Sequence, residues 1–262
     1  MSSEQLPDFI DFLSHSKAYP HPAPEIRLVQ THISYVLLAG EFVYKIKKPV
    51  NFGFLDFTTL EKRRFFCNRE VELNRRLCPD LYLGVSAITR EDGGLVLDGP
   101  GPVVEYAVRM ARMDESRMMG KVIGAGELNR EILDRIVEIL VPFYEKAAGG
   151  PELAEFGTTK AVAVNVLENF QQTEGFVGCQ ALSDRQFRLI SDYAQRFLTH
   201  NKLFDARISA GRIRDCHGDL YSANICLEEP IRIFDCIEFN ERFRYCDVAS
   251  DVAFLAMDLD YH

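Results

Sequence analysis

The run Cys216-His217-Gly218-Asp219-Leu220-Tyr221-Ser222-Ala223-Asn224, with Asp235 eleven residues beyond the Asn, constrains this chain more than any other stretch. It reads His-x-Asp-x4-Asn and lies among short apolar alternations at Ile213, 225–227 and 231–234. A fold that accepts it must pinch a polar loop between short strands and bring a second carboxylate to that loop. The residue types suit phosphoryl transfer. One carboxylate accepts or orients the proton of an attacking hydroxyl, while a carboxamide oxygen and a second carboxylate hold magnesium against a triphosphate. A polar turn of the same composition needs none of this, so the rest of the chain has to supply the partners.

The chain has 262 residues, 47% hydrophobic and 26% charged, enough to bury a core without covalent staples. Its net charge of −9 argues against a nucleic-acid partner, which calls for a basic face. The first seven residues, Met1 to Pro7, lack a basic segment followed by an apolar run, and no apolar stretch approaches the length of a membrane span. These features predict a cytoplasmic protein with no membrane partner. Seven cysteines, an odd number, fit a reducing compartment. Cys216, Cys226, Cys236 and Cys246 recur every ten residues, but zinc sites bring ligands as close pairs, and these read as small buried thiols beside strands.

Pro7 opens a short helix through Phe9, Ile10, Phe12 and Leu13. From Ile26 to Val50 the pattern predicts two strands around a turn at Ala39-Gly40-Glu41. Thr58 with Glu61 makes a capping box for a helix running to about Leu77. Strands near 81–89, 95–97 and 103–110 complete an antiparallel sheet of about five strands with one inserted helix. After Met113 the pattern becomes helical at 127–146, 160–171 and 183–209, before the short β-region that carries the polar loop. Strands followed by helices predict an α+β chain of two lobes, residues 1–113 and 114–262, hinged near 112–120.

A phosphoryl-transfer site also needs a strand lysine for the phosphates and a helical glutamate to hold it. The strand Phe42–Lys48 offers Lys45, Lys47 and Lys48. Period-two alternation sets Lys45 and Lys47 on one face, and Lys45 is the more central. Charges that guard an edge strand are the alternative for Lys47 and Lys48. Of the helical glutamates, Glu70 lies beside the apolar stripe of Phe66, Leu73 and Leu77, whereas Glu72 sits on the solvated side, within i,i+4 reach of Arg76.

With these residues together, the chain resembles the aminoglycoside phosphotransferase family of kinase-like small-molecule phosphotransferases. The likeness is greatest to a bacterial branch with Val43-Tyr44-Lys45-Ile46-Lys47-Lys48-Pro49, Cys78-Pro79-Asp80-Leu81-Tyr82-Leu83-Gly84 and Phe234-Asp235-Cys236-Ile237-Glu238-Phe239-Asn240. Some members of that branch are fused to a P-loop ATPase domain, which makes a separate ATPase domain an expected partner. The resemblance implies a protein-kinase-like fold, with an N-terminal antiparallel sheet and one helix ahead of a mostly helical C-terminal lobe. It implies Asp219 as catalytic base, Asn224 and Asp235 as magnesium ligands, Lys45 as phosphate contact and Glu70 as its partner. His217 would support the loop, and Asp247 would brace it from the next helix, unless Asp247 is only a helix N-terminal charge.

Three features depart from the pattern. No glycine-rich loop precedes the lysine strand, and Thr31-His32-Ile33-Ser34 would have to cover the phosphates with hydroxyls. Cys236-Ile237 stands where protein kinases carry Phe-Gly. The chain ends at Asp258-Leu259-Asp260-Tyr261-His262 in a helical pattern, where the family continues with further helices, so it reads as a fragment or a shortened member. The expected activity is ATP- and magnesium-dependent transfer of the γ-phosphate to a hydroxyl of a small molecule. The alternative is an inactive nucleotide-binding module of the same fold.

Overall fold

The computed structural model describes residues 6–262. Residues 1–5, part of the stretch read as free of a leader, lie outside it. A short helix α1 (Asp8–Leu13) follows Pro7 and buries Ile10 and Leu13. Six antiparallel strands come next: β1 (Ile26–Gln30), β2 (Ser34–Ala39), β3 (Phe42–Lys47), β4 (Tyr82–Glu91), β5 (Gly94–Leu97) and β6 (Val103–Ala111). Their order across the sheet is β1-β2-β3-β6-β4-β5, and helix α2 (Leu60–Asn74) is inserted between β3 and β4.

The sheet has six strands because the stretch expected as one long first strand is broken at residues 31–33. There Thr31 Oγ1 accepts from the amides of Ile33 and Ser34, a hydroxyl-built turn that carries neither Gly nor Pro to announce it. The next hairpin turns at Gly40, with φ +61°, where a Cβ would meet the Pro22 carbonyl oxygen at 2.3 Å. Only glycine fits there.

Alternation along β3 divides its side chains between two cores. Tyr44 and Ile46 face α1, packing with Ile10, Leu13, Leu37 and Ala107. Val43 falls with the α2 side, where Cys67 and Val71 meet Leu81, Tyr82, Val108 and Met110. Each fully buried aliphatic side chain in these layers is worth about 1.5–3 kcal/mol. That packing fixes α2 across β4 and β6. Helix α2 is capped by Thr59, whose hydroxyl accepts from Lys62 N, and not by Thr58, whose hydroxyl is committed to Asp56. It ends at Asn74 rather than near Leu77, in a tight turn that frees Arg76 to point elsewhere.

Beyond Ala111 the chain is mostly helical: α3 (Met119–Gly124), α4 (Arg130–Lys146), α5 (Pro151–Ala154), α6 (Thr159–Thr173), α7 (Asp184–Phe197) and α8 (Asn201–Ser209). The helix expected over 183–209 is two helices, divided at Thr199-His200. Helix α4 is amphipathic and seats Ile136 and Leu140 against Leu220, Ile225, Ile231 and Ile233. Those last residues belong to the polar-loop region, built on two small ribbons. Strand β7 (Ile213–Asp215) pairs with β10 (Tyr245–Asp247), and β8 (Ile225–Cys226) with β9 (Arg232–Ile233). A one-turn helix α9 (Glu241–Arg244) precedes β10, and α10 (Val248–Tyr261) follows it. Strands first and helices after make an α+β arrangement, with a curled antiparallel sheet in the N-terminal part. Among the described residues no helix is long and apolar enough to cross a membrane.

Candidate functional site

Five residues singled out in the sequence converge where α2, β3 and the polar loop meet. Lys45 Nζ lies 2.9 Å from Glu70 Oε1 and 2.5 Å from Asp235 Oδ1. Asn224 Nδ2 donates to the Asp219 carbonyl at 2.9 Å and to Asp219 Oδ2 at 3.1 Å. Lys45, Asp219 and Asp235 line one cavity of about 380 Å³. With its amide hydrogens committed to Asp219, Asn224 keeps its carboxamide oxygen as the atom available to a cation.

Lys47, the alternative phosphate contact, is built into the same network. Its ammonium lies 2.6 Å from Glu70 Oε2, is bonded to Glu238, and sits over the Phe57 ring at 4.8 Å. The guarded-edge reading fails for it, because β3 lies between β2 and β6 inside the sheet. The result is a chain of alternating charge, Glu238–Lys47–Glu70–Lys45–Asp235. Glu238 was not anticipated as a site residue. Its sequence signal was its place three residues after Asp235, in the stretch 234–240 shared with the resembling branch.

Burial opposes charge on Glu70, but its two lysines outweigh that and hold its carboxyl low. Burial likewise works against both ammonium groups, and the carboxylates around them raise both lysines above the ordinary value. At the end of the chain, burial raises Glu238, with Glu70 adding to it and Lys47 pulling the other way. Asp219 is pushed up to about 6, first by burial and then by the negative charge of Asp235.

The backbone around Asp235 is unusual. Asp235 has φ +63°, a left-handed conformation that costs a non-glycine residue about 1–3 kcal/mol unless its surroundings enforce it. Here they do: Asp235 N donates to the hydroxyl of buried Tyr82 at 3.1 Å, and Cys236 N to Asn74 Oδ1 at 2.8 Å. Asn74 in turn donates to the Glu70 carbonyl, so α2 holds both the glutamate and the Asp235 segment.

The polar loop is held from behind. His217 is fully buried and bridges the Phe234 carbonyl, 2.9 Å from Nε2, and Asp219 N, 3.3 Å from Nδ1. Burial pulls its pKa down, and a neutral ring donating from Nε2 and accepting at Nδ1 satisfies both contacts. The brace from the next helix is Asp251, not Asp247. Asp251 accepts from His217 N and Gly218 N, each at 2.9 Å, and from the Tyr144 hydroxyl. Asp247 instead caps α10 and pairs bidentately with Arg207. Arg76 does not pair with Glu72. Its guanidinium reaches Asp215 and the Cys216 carbonyl, tying α2 to the strand that enters the loop.

The turn at Thr31–Ser34 does cover the cavity: Thr31, Ile33 and Ser34 all line it. Ser34 is 1% exposed, and its hydroxyl has no hydrogen-bond partner among the described residues. Buried hydroxyls are nearly always paired, and this one faces the cavity wall. The described residues contain no group of three or more His, Cys, Asp or Glu side chains gathered around a common point. Of the four cysteines spaced by ten, three are buried against the loop and its strands, and all are free thiols.

No family model matches the chain. Uncharacterised proteins of Mycobacterium tuberculosis and of Mycobacterium bovis are each 35% identical to it over 247 residues. These matches take in 92% of this chain and 48% of each relative, so the chain spans about half the length of the curated relatives it matches.

Proposed function

We propose that this chain is an ATP- and magnesium-dependent phosphotransferase with a protein-kinase-like two-lobed fold, acting on a hydroxyl of a small molecule. The observation that carries the reading is Lys45, paired with Glu70 and Asp235 in one cavity with Asp219. Lys45 would exchange Asp235 for phosphate oxygens while Glu70 keeps it oriented. Asp219, raised to about 6, is mostly ionised at neutral pH and close enough to that pH to serve as a base. It takes the proton of the attacking hydroxyl as that oxygen bonds to the γ-phosphorus and the bond to the departing diphosphate breaks. Positioning and charge neutralisation supply most of the rate in such transfers.

The donor set fits magnesium. Asn224 and Asp235 offer hard oxygens, and magnesium is commonly held by one or two carboxylates, with phosphate oxygens and water completing its shell. Around the cavity four carboxylates (Glu70, Asp219, Asp235 and Glu238) meet two ammonium groups, a formal excess of two negative charges. A triphosphate entering that surplus needs a divalent cation, which when bound neutralises charge on the phosphate oxygens. The unpaired Ser34 hydroxyl supports the same reading from above.

The direct test is the melting temperature with and without magnesium-ATP, in the wild type and in Asp235→Asn. Ligand at 100 times its dissociation constant adds about 2.7 kcal/mol, roughly 5–10 °C here. A magnesium-dependent shift that the variant loses is expected; no shift in the wild type would sink the reading.

A further inference from the structure

Resting on that reading, we infer that the acceptor carries its hydroxyl on a flat apolar body, as an aryl alcohol does, and that Phe239 and Phe243 hold that body. Strand β3 has two different ends. At its start the Glu41 carbonyl accepts from Arg112 N, beside the segment that links the sheet to the helices. At its far end Lys47 lies over Phe57, which meets Phe239 edge-on at 6.3 Å between ring centroids. Phe54 stands 6.1 Å from both Phe239 and Phe243, and Asn240 Nδ2 holds the Phe54 carbonyl at 3.0 Å. Phe239 and Phe243 line the same cavity as Asp219 and Asp235. Phosphates held at Lys45 leave the aromatic end of the cavity, beside Asp219, to the acceptor.

The charges around that wall also select. Glu238 is bonded to Lys47, Glu168 to Arg242, and Asp56 to Lys62. Arg242 itself lies 5.2 Å from the Phe243 ring centre. A polycation approaching the two rings would meet the Arg242 guanidinium beside them. A planar apolar body finds the rings of Phe239 and Phe243, with Phe54 packed against both.

The test measures ADP release at saturating magnesium-ATP, with 2-phenylethanol, glycerol and kanamycin as acceptor probes. We expect 2-phenylethanol to stimulate release at concentrations at least tenfold below those of glycerol or kanamycin. Phe243→Ala should raise its half-saturating concentration about tenfold, and Phe243→Leu, which keeps bulk but loses the ring, by a smaller factor. Stimulation by glycerol or kanamycin at equal or lower concentration, or none by 2-phenylethanol, would overturn the assignment. So would an equal rise in the half-saturating magnesium-ATP concentration in Phe243→Ala, which would set that ring against the base. Failure of the underlying reading shows separately, as a wild type whose melting temperature ignores magnesium-ATP, and the inference falls with it.

Discussion

The Lys47 ammonium lies 2.6 Å from Glu70 Oε2, with 1% and 0% of the two side chains exposed. Glu70 therefore serves two lysines; both line the cavity, but Lys45 is the more exposed, at 16% against 1% for Lys47. Glu70 is anchored by Lys47 as well as by Lys45, and Lys47 by Glu238. The helix bearing Glu70 is thus held in place whatever Lys45 does.

This ladder of charges makes a stability prediction. Lys47→Met leaves Glu70 and Glu238 short of a cation in the interior, and breaking one side of a buried pair costs about 3–5 kcal/mol. Removing charge at both ends, in Lys47→Met with Glu238→Gln, should cost less than the two single changes added together, because the groups touch. Urea unfolding of the four species measures the coupling. Strict additivity would mean that the pair does not act as a unit.

Much of this site could be read from the sequence, for identifiable reasons. Period-two alternation set Lys45 and Lys47 on one face and Lys45's central place favoured it, while Glu70 followed from the helical stripe, and Asp219, Asn224 and Asp235 from spacing within one loop region. These are local signals. The edge-guard alternative for Lys47 stayed open because strand order is not local: only the pairing of β3 with β6 makes the strand internal. Asp251 was missed in favour of Asp247 because both sit near the start of the same helix. Which one reaches the loop depends on how α10 packs beneath it. The turn at 31–33 and the break at 199–200 were hidden because neither contains Gly or Pro.

Asp251 gives the second prediction. Its two oxygens satisfy two successive amides of the polar loop. Asp251→Ala leaves three donors without their acceptor, the His217 and Gly218 amides and the Tyr144 hydroxyl, at about 1–3 kcal/mol for each that is buried. Asp247→Ala loses only a cap and a partly exposed ion pair, worth about 1–2 kcal/mol together. Thermal unfolding should rank Asp251→Ala well below Asp247→Ala, and the reverse order would contradict the brace assignment.

The third prediction concerns pH. Asp219 has its folded pKa raised to about 6 from an unfolded value of 3.8, so the native state binds its proton more tightly than the unfolded chain does. Its favourable contribution is complete below pH 3.8 and is lost as pH rises through about 6. The ionised carboxylate therefore costs stability at neutral pH. Asp219→Asn should melt a few degrees higher than the wild type at pH 8, with the difference shrinking towards pH 4. Phosphoryl transfer, which needs the ionised form, should fall below about pH 6 in the wild type and be absent in the variant. A variant less stable than the wild type at pH 8 would refute the linkage.

The same trade between stability and use appears at Ser34. Its hydroxyl is buried without a partner, and leaving such a group unpaired costs about 1–3 kcal/mol. Ser34→Ala removes the unmet group at little cost in packing, so the ligand-free chain should gain roughly 2–4 °C in melting temperature if about 1 kcal/mol is recovered. If the hydroxyl is kept for a phosphate oxygen, the same change should weaken magnesium-ATP binding by about ten- to a hundredfold, the worth of one hydrogen bond to a charged acceptor. The two effects oppose each other and are read in one titration of melting temperature against nucleotide. A higher starting point with a smaller shift is the expected pattern. A lower starting point would mean that Ser34 stabilises the empty turn, and an unchanged shift would mean that its hydroxyl never meets the phosphates.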